Sequence, residues 1–194
     1  MAPYLALLPE DSPQRQHPLR SLFNALRYLS QTGCQWRYLP HDLPPRAAVY
    51  QQWTRWRDAR VFEDIMHDLN ELQRLLLDRP ATPSAVILDG RVLQSIPESG
   101  HRAGYDGGKR RKGNKAHIAV ATLGQLLSMV ITSANAQERD QVGELCERVQ
   151  AVTGQTVQVG FVDQGQTSEE AEYAAAVHDI DLQVVKNPEG NPAL

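Results

Sequence analysis

HIAVATLGQLLSMVITSA, residues 117–134, decides the fold class. Two short, uncharged apolar runs flank Gly124-Gln125, which predicts a β-hairpin with its turn at that dipeptide. Working outward, AVIL (85–88) reads as a strand before the hairpin. After it, a helix is expected over about 139–152, with Val142, Leu145, Cys146 and Val149 on one face. TVQVGFVD (156–163) reads as a strand, SEEAEYAAAVHD as a helix and DLQVV (181–185) as a further strand. Strand, hairpin, helix, strand, helix, strand predicts an α/β domain built on a mixed sheet with flanking helices.

The first eighty residues carry a different periodicity. Pro18 precedes LRSLFNALRYLSQTG, where Leu19, Leu22, Phe23, Leu26 and Leu29 keep helical spacing and Gly33 can end the helix. Pro40, Pro44 and Pro45 break any helix in CQWRYLPHDLPP. Residues 46–78 then show an apolar stripe of Val49, Trp53, Trp56, Val61, Ile65, Leu69, Leu72 and Leu76, read as two helices. In that company Trp36, Trp53 and Trp56 read as core packing rather than base-stacking groups. DRPATPSA, with two prolines and small polar residues, reads as a linker. Two domains are therefore expected, a helical region over 1–80 and an α/β region over 81–194.

At 194 residues and 41% hydrophobic the chain can bury a core. No run approaches the roughly 18 apolar residues of a membrane span, and MAPYLALLPEDSP has no basic start and no small-residue cleavage site. A cytoplasmic protein is expected, with no membrane partner. Cys34 and Cys146 lack any CxxC or ladder spacing and are read as two buried thiols in a reducing compartment.

The net charge of -3 is unevenly distributed. Residues 91–117 carry seven Lys/Arg against Glu98 and Asp106, whereas 118–194 carry three against eleven acids. The first eighty residues, with ten Arg and nine acids, are nearly neutral. The default reading of the basic segment is a solvated loop, and its functional alternative is a surface that contacts phosphates.

Asp89 in AVILDG and Asp163 in VGFVDQG each close an expected strand. Groups at the carboxyl ends of strands face the crevice where α/β sheets bind ligands. Two carboxylates brought together there repel unless a cation lies between them, and their hard oxygens favour Mg²⁺ or Mn²⁺. An Asp followed by Gly after a strand is also an ordinary turn, and spacing alone favours that reading for each of them.

The segment after Asp89 is more specific. Gly104-Tyr105-Asp106-Gly107-Gly108-Lys109, Lys112-Gly113, Lys115, His117, Thr122-Leu123-Gly124, Ala134-Asn135-Ala136-Gln137 and Arg139-Asp140 stand in order and spacing. Together they resemble a DDE-type insertion-sequence transposase of the bacterial IS4/IS5-like superfamily. TGCQWRYLPHDLPP (32–45) and VYQQWTRWRDARVFE (49–63) are similar to the helical region that precedes the catalytic domain in the same family.

That resemblance implies an RNase H-like domain in which Asp89 and Asp163 are catalytic and bind Mg²⁺ or Mn²⁺. The reaction would be phosphoryl transfer in DNA transposition, by cleavage and strand transfer. The implied partners are DNA, as terminal inverted repeats and target, and further copies of the chain. Lys109, Arg110, Arg111, Lys112 and Lys115 become backbone-phosphate contacts beside the active site. Arg46, Gln51, Gln52, Arg55 and Arg57 lie on a helix that would enter a major groove from a helix-turn-helix-like unit. His117 reads as a structural histidine at least as well as a catalytic one. Asn135, Gln137 and Asp140 read as capping or turning the start of the next helix, with Asp140 a weaker candidate for a third metal ligand.

The sequence departs from the family in two places. A third acid is expected on a later helix in a motif like WVVER; none is present, and Glu189 between Pro188 and Gly190 does not replace it. Gln166 and Ser168 stand where an aromatic and a glycine are usual. The expectation is of a C-terminally truncated transposase that does not complete cleavage alone. The alternative is a non-catalytic DNA-binding remnant or a repressor of the parental transposase.

Overall fold

Pro18 and Gly33 bound the first helix, as their chemistry dictates. The computed structural model describes residues 16–94, 103–108, 110–163 and 168–185. Helix α1 (Leu19–Thr32) starts after Pro18, and Gly33 ends it at φ 64°, donating its N–H to the Leu29 carbonyl at 2.9 Å. A left-handed residue at that point favours glycine because it has no Cβ to clash. The proline-containing connector holds one 3₁₀ turn, Trp36–Tyr38. Helices α2 (Arg46–Asp58) and α3 (Val61–Leu76) follow, separated where Arg60 adopts φ 56°.

The chain divides into two compact units, Met1–Leu69 and Asn70–Leu194. The first has its own core of Leu19, Leu22, Phe23, Ala25, Val49 and Trp56. Trp56 is buried there, edge-on to Phe23 and Phe62, whereas Trp36 is only partly buried against that core. In the second unit, the segment after α3 is tied down, since the buried Arg74 guanidinium donates to the carbonyls of Pro80 and Thr82.

The second unit is a mixed sheet. Its strands are β1 (Ala85–Gln94), β2 (Gly104–Asp106), β3 (Arg111–Ala121), β4 (Leu126–Ser133), β5 (Val159–Val162) and β6 (Asp181–Val184). The order is β2-β3-β1-β5-β6, with β4 sharing the β2 edge of β3. β1, β5 and β6 run parallel, and β3 is antiparallel to β1, β2 and β4. Helices α4 (Val142–Thr153) and α5 (Glu169–Ala176) supply Val142, Leu145, Cys146, Val149, Ala171 and Ala175 to one core with Val86, Leu88, Ala119, Ala121 and Val162 of the sheet. The expected mixed α/β architecture is what the chain adopts. The β3–β4 hairpin turns where expected, with Gly124 at φ 77°.

Three local expectations change. β1 does not stop at Leu88 but runs six residues further, paired to β3 from Val86↔Ala121 to Gln94↔Gly113. The glycine-rich segment is not wholly a loop, because Gly104–Asp106 forms β2 against Arg111–Gly113. The helix expected from about Arg139 begins as a 3₁₀ turn, Arg139–Gln141, and becomes α-helical only at Val142.

Candidate active site

Asp89 lies within a strand rather than at its end, and alternation along that strand decides which way it faces. Val86 and Leu88 enter the core, so Ile87, Asp89 and Arg91 lie on the opposite face. On β5 the buried Gly160 and Val162 alternate with Val159 and Phe161, and Asp163 follows in that same outward phase. β1 pairs in parallel with β5 as Ala85↔Val159, Val86↔Gly160 and Ile87↔Phe161. Continuing that register for two residues aligns Asp163 with Asp89. Neighbouring strands lie about 4.8 Å apart, so that continued register would bring together two carboxylates seventy-four positions apart in sequence. Both residues are exposed, and Asp89 Oδ1 accepts a hydrogen bond from the Gly90 N–H at 2.7 Å.

This face is the open side of the sheet. Ile87 (40% exposed), Met129 (46%) and Ile131 (49%) share it with the two acids. Among the described residues no group of three His, Cys, Asp or Glu converges to hold a metal ion. A protein's usual share of a Mg²⁺ or Mn²⁺ site is one or two carboxylates, the rest being waters and substrate phosphate oxygens.

Behind Asp89, on the core face, the chain packs a polar cluster. Gly90 pairs with His117, and the Glu138 side chain lies over Gly90. Lys115 reaches Glu138 Oε1 at 3.4 Å and donates to the Ala136 carbonyl at 3.0 Å. His117 is buried, with Nε2 2.8 Å from Thr132 Oγ1. Burial, and secondarily the Lys115 charge, lowers the His117 pKa, while Glu138 and Glu144 oppose that shift. His117 is thus a hydrogen-bonded interior residue on the face away from the acids.

The basic residues separate into two groups. Arg110, at φ 51°, Arg111 and Lys112 are exposed at the far end of β3. Lys109 lies outside the described residues. Lys112 shares the face of Asp89, but Asp89 is opposite Ile118, six residues along β3, or about 20 Å at the usual rise. These cations flank the acids at a distance rather than lying beside them. Lys115 is buried and turned inward, which removes its ammonium from the contact surface.

On α2, Arg46, Gln51, Arg55 and Arg57 are exposed, and Arg57 is paired to Asp58 at 2.8 Å. Gln52 is a correction. It is 9% exposed on the inner side with Val49 and Trp56, where no groove edge can be read. None of Asn135, Gln137 and Asp140 caps α4, whose N-cap is Gln141 without a side-chain bond, but Asn135 lies in a turn and Asp140 in the 3₁₀ turn that leads into the helix. Asn135 instead lies against Gly104, and Asp140 is exposed beside Arg139 at 3.9 Å.

Glu138 and Arg91 escaped the sequence reading. Period-two alternation continued past Asp89 would have found Arg91. Nothing local signals Glu138, because its partners Lys115 and Gly90 lie on other strands.

The fold is a mixed α/β domain in which β1, which carries Asp89, pairs in parallel with β5, which ends one residue before Asp163. Residues 80–177 match the family described as "Transposase DDE domain", whose fold is RNase H-like, and residues 1–66 match "Putative transposase of IS4/5 family". The chain belongs to the DDE-type transposases of the IS4/IS5 family. No curated protein matches it. Among the described residues no helix is long and apolar enough to cross a membrane.

Proposed function

We propose that the chain binds DNA and carries the first two carboxylates of a metal-dependent phosphoryl-transfer site used in DNA transposition. Residues 1–80 serve recognition and 81–194 the chemistry. The observation that supports this reading is the parallel register from Ala85↔Val159 to Ile87↔Phe161, which, continued by two residues, would align Asp163 with Asp89.

Asp89 and Asp163 would hold Mg²⁺ or Mn²⁺. Such a cation, when bound, offsets the two negative charges and polarises the oxygens of a phosphodiester. The chain's own residues prepare the place. The Gly90 N–H fixes the orientation of the Asp89 carboxylate, and Arg91 adds positive charge on the same face for a phosphate. Arg110, Arg111 and Lys112, with Lys109, contact backbone phosphates some six base pairs from the acids, given the roughly 3.4 Å rise per pair in duplex DNA. Lys115 and Gln52 are left out of this contact set, since both are buried. In the helical unit, Arg46, Gln51, Arg55 and Arg57 offer an exposed polar surface to inverted-repeat DNA, from a helix-turn-helix-like arrangement acting in a homo-oligomer.

Mn²⁺ binding followed by electron paramagnetic resonance tests the site. Asp89→Asn and Asp163→Asn should each weaken it at least tenfold, and unchanged binding in the double variant sinks the reading. The second reading, a DNA-binding protein without cleavage activity, is favoured by the lack of a third converging acid among the described residues. It expects no Mg²⁺-dependent nicking of a repeat duplex, with DNA binding that survives both Asp substitutions.

A further inference from the structure

Helix α2 carries a stripe that the DNA-binding reading does not use in full. Arg46, Tyr50, Trp53 and Arg57 recur at i, i+4, i+7 and i+11, which places all four on one face. Tyr50 meets Trp36 edge-on, with ring centroids 5.4 Å apart at 79°, and Trp53 at 5.5 Å and 44°. Trp36 and Trp53 also touch, at 6.0 Å. This trio adjoins the buried Trp56 cluster through Trp36 but faces outward, for Tyr50 is 53% exposed while Trp36 and Trp53 are half-buried. The tryptophans thus form a rigid backing that fixes an outward tyrosine ring. Arginines bracket it. The Arg57 guanidinium lies 4.9 Å above the Trp53 ring, and in the adjoining 3₁₀ turn Arg37 lies 5.1 Å from the exposed Tyr38 ring. Asp58, bonded to Arg57, is the sole acid on the helix.

We infer that this stripe is a stacking site for an unpaired DNA base, with Tyr50 as the platform and Arg46 and Arg57 holding the flanking phosphates. Three physical points select that ligand. A duplex presents only base edges in its grooves, whereas an unpaired base offers a π-face that an aromatic ring can cover. A ring already held by two neighbours loses little entropy on stacking. Positive charge at both ends of the stripe suits a strand that carries a phosphate on either side of the base. The inference rests on the DNA-binding reading above and adds a preference for unpaired DNA.

The experiment compares two DNA hairpins, one fully paired and one carrying a single bulged 2-aminopurine, binding the full chain. Binding is read by anisotropy, and stacking by quenching of the 2-aminopurine. The bulged hairpin should bind more tightly and be quenched. Tyr50→Ala should cost roughly tenfold or more on the bulged probe alone. Tyr50→Phe, which keeps the ring, should retain most of the preference, and Tyr38→Ala should leave quenching in place. Equal affinity for the two hairpins overturns the inference while leaving DNA binding intact. Binding to neither overturns the DNA reading as well. A change of oligomeric mass in Tyr50→Ala without loss of quenching would assign the stripe to contact between copies and overturn the inference.

Discussion

Glu138 lies over Gly90 so closely that a Cβ built on the glycine would stand 2.5 Å from the Glu138 Cδ. The contact sits directly behind Asp89, on the other side of the same strand. Gly104 and Gly113, paired with each other on β2 and β3, are similarly closed in, by Asn135 and by the Leu93 carbonyl respectively. The Ala134 N–H also donates to the Gly113 carbonyl at 3.0 Å. The 134–138 segment therefore seats on the sheet where the strands lack side chains.

That seating ranks three substitutions. Gly113→Ala meets the backbone of β1 and should be the most damaging, destabilising by about 3 kcal/mol or more. Gly104→Ala meets the Asn135 side chain and backbone and should cost an intermediate amount. Gly90→Ala meets only the end of a side chain that can move aside, at about 1 kcal/mol. Urea unfolding midpoints check the order, and a Gly90→Ala variant less stable than Gly113→Ala would show that Glu138 is locked in place.

The Lys115–Glu138 pair is partly buried, at 10% and 23% side-chain exposure. Removing either charge leaves the other poorly solvated, so Lys115→Met and Glu138→Gln should each cost about 1–3 kcal/mol. Because the two share one interaction, the double variant should cost clearly less than the sum. A double-mutant cycle in urea measures the coupling, and strict additivity would deny the pair an energetic role.

His117 should make stability fall on the acid side. Its folded pKa lies below 6.5, so in the window just under 6.5 the unfolded chain binds more protons than the folded one. The stabilisation is fully present above about pH 6.5 and is lost as pH drops toward the lowered value. Comparing urea midpoints at pH 7.5 and 5.5 should show a loss for the parent and a smaller one for His117→Gln. An equal loss in both proteins would assign the acid sensitivity to other groups.

Cys146 is fully buried, and desolvation pushes its thiol up to about 11. At pH 8 only about one thiol in a thousand is then ionised, even before access is considered. Ellman's reagent should therefore leave Cys146 unmodified in the folded chain and label it on unfolding, with Cys34→Ser used to isolate the signal. Labelling of that variant at the rate of a free thiol would mean that the α4 core opens readily.

Arg110, Arg111 and Lys112 should behave unlike Lys115 toward DNA. Replacing the three by Ala should lower the slope of log affinity against log salt by about two to three, since each phosphate contact releases counterions. Lys115→Met should leave that slope unchanged, since its ammonium faces Glu138. Salt titrations with a repeat duplex distinguish the two.

Much of this was legible locally. The ends of α1 follow from Pro18 and Gly33, the hairpin from Gly124, and the α4 stripe from Val142, Leu145, Cys146 and Val149, because each signal lies within one element. β2 was not legible, because Gly104–Asp106 is too short to show a period and is a strand only through pairing with Arg111–Gly113. β1 was read short because Asp-Gly is a turn signal, one that pairing with β3 overrides.

The sequence by itself determined the class, since periodicity separates a helical region from a mixed α/β one and the motif order marks the family. It also determined which two acids to watch. Only the tertiary structure decided that the strands leading to Asp89 and Asp163 pair in parallel, Ile87 with Phe161, since parallel pairing joins segments that no local rule connects. The same holds for Lys115. Within the chain it is one cation of a basic run, but alternation along β3 turns it to the core face, where Glu138 from another segment meets it. Charge can be counted along a sequence, whereas the partner that satisfies a charge is set by distances in the fold.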